Sequence, residues 1–114
     1  MPTVIGFAAP ALLTEHFGKH NSWDFKFRDE REYERNAINF LKADVNVIMA
    51  LELVRSNGEI VRFCPNSNEF AVLRPTGHIR TYYKPMPERD APHGYPIDKT
   101  HGYSTNLEYF RNSA

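Results

Sequence analysis

The chain has 114 residues, 41% of them hydrophobic and 25% charged, and its formal net charge is zero. This is the composition of one ordinary soluble domain with a modest core. Neutrality argues against whole-surface, charge-driven nucleic-acid binding, and a lone cysteine, Cys64, excludes an internal disulfide framework.

The opening MPTVIGFAAPALL is apolar but lacks a basic leader and is interrupted by Pro10, so it makes a poor secretion signal. No apolar run reaches membrane-spanning length, and no membrane segment is expected. Pro10 suits the first turn of a helix, which the sequence predicts over about residues 11–20. Leu13 and Phe17 share one face of it, with Leu12, His16 and His20 as the neighbouring stripe. Gly18 weakens it by roughly 1 kcal/mol relative to alanine, and Asn21-Ser22 ends it. Residues 23–28 alternate apolar and polar and read as a short extended link. A second helix is predicted over about 29–43. Asp29, Glu30 and Glu32 sit where the helix dipole favours negative charge, and Tyr33, Ala37, Phe40 and Leu41 form one face to cover a sheet.

Residues 45–55, VNVIMALELVR, are the longest apolar run. Strand and buried helix both fit, and the Asn57-Gly58 pair just after favours a strand. That pair predicts a type I′ hairpin turn, in which both central residues need positive φ. Pro65-Asn66-Ser67-Asn68 and Pro75-Thr76-Gly77 are further turns, separating runs 59–64, 69–74 and 78–84 that are rich in β-branched and aromatic residues. The expectation is an α+β fold: N-terminal helices packed on a small antiparallel β-meander of about four strands, with an extended C-terminal tail. Residues 1–84 would form the compact domain. Residues 85–114 would add a proline-rich arm and a short helix on the same domain, capped by Ser104 and carrying Leu107 and Phe110.

Phosphate-loop, dinucleotide and nucleophile-elbow motifs are missing. Cys64, inside a predicted strand, reads as a small buried residue. His16 and His20, spaced i and i+4, lie on one helical face. They fit surface histidines, a metal pair that lacks further ligands and the HExxH acid, or general acid/base groups. Residues 70–87 hold no acid but include Arg74, Arg80 and Lys84. On a regular strand His78, Arg80, Tyr82 and Lys84 share one face, and Ile79, Thr81 and Tyr83 the other. This strand is either a solvated edge whose charges discourage aggregation, or a phosphate-binding face with arginine for bidentate contacts and tyrosine for base stacking.

The segments LTEHFGKHNSWDF, EYERNAINFL and NSNEFAVLRPTGHIRTYYKP resemble the C-terminal ribonuclease domains of bacterial polymorphic and contact-dependent inhibition toxins, of the barnase–EndoU–colicin–RelE-like group. Their recurring pattern looks like HFxKHGxEFG, a helix with YxxxAxxF, then TNxFxVxxxxGxIxTxFxP. The resemblance covers roughly residues 13–85, and the ending HGYSTNLEYF also looks like tails attached to such domains. Three positions depart from the pattern: Asn21 replaces glycine, one extra residue precedes Asp24-Phe25, and Ser67 replaces threonine.

The resemblance implies an α+β fold and RNA cleavage without metal or cofactor. By position His16 and His20 match the helix histidines, Thr81 and Tyr83 match T-x-F, and Lys84 precedes the matching Pro85. The expected catalytic set is His16, His20, Arg80, Thr81 and Lys84. Arg74, His78, Tyr82 and Tyr83 are expected to bind substrate. The expected partners are an RNA substrate, tRNA among them, and a cognate acidic immunity protein. The expected place of action is the cytoplasm, either the producer's own or that of a target cell reached as part of a secreted toxin. A non-catalytic RNA- or protein-binding module is the alternative.

Overall fold

Two hairpin turns of one design lay down the sheet. In the first, Gly58 N donates to Arg55 O at 2.9 Å and Arg55 N to Glu59 O at 2.8 Å. In the second, Gly77 N donates to Arg74 O at 2.9 Å and Arg74 N to His78 O at 2.8 Å. Gly58 (φ +89°) and Gly77 (φ +92°) take the left-handed conformation that closes each three-residue loop. Asn57 does not share it, so the expected type I′ turn is corrected to the three-residue form, in which a left-handed glycine follows an ordinary turn. Residues 65–68 make a four-residue loop that ends on Asn68 (φ 60°), whose N–H donates to Cys64 O at 2.7 Å.

The structure, a computed structural model, describes residues 3–20, 27–84 and 110–112, and at positions 19 and 20 the backbone alone. The loops join β2 (Leu51–Val54), β3 (Ile60–Cys64), β4 (Glu69–Leu73) and β5 (His78–Tyr83) into an antiparallel meander. A further strand, β1 (Gly6–Phe7), lies parallel to β5, with Gly6 opposite His78 and Phe7 opposite Ile79. The sheet is therefore five-stranded and mixed, in the order β1-β5-β4-β3-β2. The expected four-strand meander gains this strand because Ile5 N donates to Gly77 O at 2.7 Å, which ties the opening segment to the second hairpin.

The helices are α1 (Pro10–His20), α2 (Glu30–Lys42) and the single turn α3 (Val45–Ile48). The Asp29 side chain caps α2 by accepting from Glu32 N at 2.9 Å. Tyr33, Ala37, Phe40 and Leu41 of α2 are buried, the stripe its periodicity predicts. The apolar run after it divides in two. Asp44 caps α3 through Asn46 N at 2.8 Å, Met49 ends it in the left-handed region (φ 57°), and only Leu51 onward is strand. Residues 45–55 form a helical turn and then a strand, but α3 buries none of its residues, so the buried-helix alternative is corrected.

The fold is α+β. One side of the sheet packs Phe7, Leu13, Tyr33, Phe40, Leu73, Ile79 and Tyr82 into the helix-side core. The other side packs Val61, Phe63, Phe70 and Val72 with Phe110, whose ring lies 5.8 Å from that of Phe63. Asn21-Ser22, residues 23–26 of the extended link, the proline-rich arm, Ser104 and Leu107 lie outside the described residues. Among the described residues no helix is long and apolar enough to cross a membrane.

Candidate functional site

The geometry turns on one extra residue in β5. The strand pairs with β4 through Phe70–Tyr83, Ala71–Tyr82 and Val72–Thr81, and then through Leu73–Ile79. Arg80 has no residue opposite it, which is a β-bulge. Ile79 and Tyr82, three apart, consequently both face the helix-side core. Thr81 and Tyr83 stand opposite Val72 and Phe70, which belong to the other side. The expected grouping of Tyr82 with His78, Arg80 and Lys84 is therefore corrected, because the bulge resets the alternation beyond Arg80.

Arg80 turns to the side away from the helices. Its Nη1 lies 2.9 and 3.0 Å from the two carboxylate oxygens of Glu59, and Glu59 precedes Val61 by two residues and so shares its side. Arg80 and Thr81 thus stand on one face. Glu59 is 5% exposed and also accepts from Arg55 Nη1 at 3.0 Å. Burial works against its charge. Hydrogen bonds from Asn57, Arg80 and Arg55 outweigh that and hold the carboxyl down at about 2. The Arg80 side chain keeps 50% exposure, so its guanidinium still meets solvent.

Arg55 and Glu59 were absent from the residues expected at the site. The signal for them is a shared spacing, Arg55-SNG-Glu59 and Arg74-PTG-His78, in which each three-residue loop is flanked by the residues that close it. The two turns are neighbours, since a Cβ on Gly58 would lie 3.1 Å from the Pro75 ring. The two loops bring Arg55, Arg74 and His78 to one end of the sheet, where Arg55 and Arg80 both donate to Glu59. Nδ1 of His78 lies 3.1 Å from Thr76 Oγ1.

His16 occupies the other side. Its ring is half-buried and lies 5.3 Å from the ring of Phe7, the last residue of β1. Among the described residues no strand covers the edge of β5 from Arg80 to Tyr83. His16 thus stands over the end of β1, on the side of the sheet opposite the Arg80 guanidinium. The backbone of His20 lies one turn further along α1. Lys84, half-buried, follows the end of β5.

Tyr82 is 0% exposed, so it has no face to offer a base, and its expected substrate-binding role is corrected to a core role. Its hydroxyl donates to Glu69 and accepts from the Asn36 amide, while the Tyr33 hydroxyl donates to the Tyr82 carbonyl. Burial, then the Glu69 carboxylate, push the phenol pKa upward, so Tyr82 stays protonated. Tyr83 is half-buried, its ring 5.1 Å from Phe70. Among the described residues no three His, Cys, Asp or Glu side chains are grouped to hold a metal ion.

No family model matches the chain, and no curated protein matches it. The resemblance to toxin ribonuclease domains rests on the quoted motifs alone.

Proposed function

We propose that the chain is a toxin-like, metal-independent endoribonuclease whose RNA lies along the uncovered edge of β5. The observation that carries this reading is the edge itself. β1 stops at Phe7, β5 runs on from Arg80, and an imidazole stands on one side of that edge with a guanidinium on the other. A strand of RNA laid there meets His16 from the helix side and Arg80 with Thr81 from the opposite side. His16 takes the proton of a ribose 2′-OH, whose oxygen attacks the adjacent phosphorus. The bond to the 5′-oxygen breaks, and a second acid, for which His20 has the right helical spacing, returns a proton to it. The products are a 2′,3′-cyclic phosphate and a 5′-OH. Arg80 stabilises charge on the phosphoryl oxygens, Thr81 hydrogen-bonds them and Lys84 adds to the field. Such contacts are each worth on the order of a few kcal/mol. Arg55, Arg74 and His78 meet flanking phosphates, and Tyr83 lies beside the path. Single-stranded loops, as in tRNA, are the substrate form that an open edge admits. An acidic immunity protein covering the arginine cluster fits the same surface. The place of action is the cytoplasm, the producer's own or a target cell's.

The ion pair between Arg80 and Glu59 favours a second reading, because the carboxylate offsets the charge that Arg80 would lend to a developing phosphoryl anion. In that case the edge belongs to a non-catalytic RNA- or protein-binding module. The test is incubation of purified chain with total RNA in EDTA, with end-mapping of the products. Cleavage to cyclic-phosphate ends is expected, lost in His16→Ala and lowered about 10²–10³-fold in Arg80→Ala. Intact RNA with the wild type, or equal cleavage by His16→Ala, refutes the enzyme. A tight RNA complex without turnover selects the binding module.

A further inference from the structure

A cleft of about 500 Å³ opens on the helix side, between α2, α3 and the loop joining β3 to β4. Phe40, Ile48 and Cys64 give it an apolar wall, and Asn39, Asn66, Ser67 and Glu69 stand among its polar lining. An apolar wall with a few convergent polar groups, at roughly 300–1,000 Å³, is the usual anatomy of a small-ligand site. Two observations narrow the ligand. The Ser67 hydroxyl is buried and has no hydrogen-bond partner among the described residues, a condition that a bound polar group would relieve. Glu69 engages Tyr82 and Asn36 through Oε2 alone, and its Oε1 has no hydrogen bond among the described residues. The carboxylate repels phosphates and acids. The Glu69 oxygen only accepts, while the Ser67 hydroxyl can donate or accept, so the pair calls for an N–H donor beside an acceptor on a largely apolar body.

We infer that this cleft receives a nucleobase carrying an exocyclic amino group (cytosine, adenine or guanine) and discriminates against uracil. The source of the base, a bound RNA strand, rests on the ribonuclease reading. Glu69 adjoins Phe70 of β4, which pairs with Tyr83; Tyr83 itself is three residues, roughly 10 Å, along β5 from Arg80, and the cleft opens one strand further on, on the helix side of the sheet. A nucleotide splayed from the strand on the edge reaches it from there.

The test is an NMR titration of the full chain with cytidine and uridine, neutral nucleosides that lack the phosphate drawn to Arg80. Cytidine is expected to shift the amide signals of Asn39, Asn66, Ser67 and Glu69 saturably, at least about tenfold more tightly than uridine. Asn39 is exposed, so Asn39→Leu leaves the fold intact. That variant and Ser67→Val are expected to weaken cytidine about tenfold, and Arg80→Ala to leave it unchanged. Equal titration by uridine, no titration by cytidine, or unchanged cytidine binding in both cleft variants overturns the inference. RNA cleavage by the same proteins separates the two claims. Cytidine selectivity without cleavage removes the nuclease and keeps the cleft, whereas cleavage without selectivity removes the cleft and keeps the nuclease.

Discussion

Replacing Arg62 is the sharpest test of how the helix layer is fastened to the sheet. Its side chain is 1% exposed. Nη1 donates to the carbonyls of Phe40 and Ala43, both at 2.7 Å, the oxygens that the end of α2 leaves unpaired. Nε and Nη2 reach Glu52 Oε1 at 2.8 and 2.6 Å, so one guanidinium joins α2, β3 and β2. Arg62→Met keeps the buried stem and strands two carbonyls and a carboxylate. Hydrogen bonds to charged groups contribute about 1.5–3 kcal/mol each, and breaking a buried pair costs about 3–5 kcal/mol. Glu52 keeps 29% exposure and rehydrates, which selects the low end, about 3 kcal/mol. At a urea dependence of about 1.5 kcal/mol per molar, the unfolding midpoint falls by roughly 2 M. Glu52→Gln leaves both carbonyl bonds in place and costs about 1 kcal/mol. Equilibrium urea unfolding followed by circular dichroism measures both. A loss below about 1 kcal/mol for Arg62→Met, or equal losses for the two variants, would show that the α2 carbonyls do not depend on Arg62.

Two further outcomes follow from the hairpin loops and the bulge. Glu59 has a folded pKa of about 2 against a usual value of 4.5, so its stabilising contribution is full above the usual value and is lost as pH falls towards 2. The stability gap between wild type and Glu59→Gln is expected to shrink as pH is lowered from 6 to 2.5, and a constant gap in urea midpoints would contradict it. Gly77→Ala puts a Cβ 2.4 Å from Thr3 O at φ +92° and is expected to cost about 2 kcal/mol or more. Gly18→Ala meets nothing within 4 Å and is expected to gain about 0.5–1 kcal/mol in a helix. Melting temperatures that move in the same direction would refute the contrast.

What could be read from the sequence was local. The Tyr33–Leu41 stripe, the acidic start of α2 and the positions of all three loops follow from spacing, the helix dipole and turn chemistry. β1 escaped because two residues carry no periodicity, and its pairing depends on Gly77, more than seventy positions away. Arg62 falls inside the predicted run 59–64, where nothing local says that the end of α2 lies beside it. The basic character of residues 74–84 was visible, but the carboxylate that orients Arg80 was not, because Glu59 meets it only across β4. Placing Tyr82 with Arg80 failed for a related reason: strict alternation assumes a regular strand.

The bulge explains why the edge that carries Arg80 and the core can share one strand. Ile79 must face the helices to pack beneath Phe7 and its neighbours, and Tyr82 must face them to reach Tyr33, Asn36 and Glu69. Residues three apart on a regular strand point to opposite sides. One extra residue between them reconciles both demands, and that residue is Arg80. Its displacement from the ladder is therefore a consequence of the core on either side rather than of any local preference. The same displacement sends its guanidinium across β4 to Glu59 and brings Thr81 onto its side. It occurs at the point where β1 ends and, among the described residues, no further strand pairs with β5. The cation at the open edge is held there by packing requirements that would act whether or not RNA were ever bound.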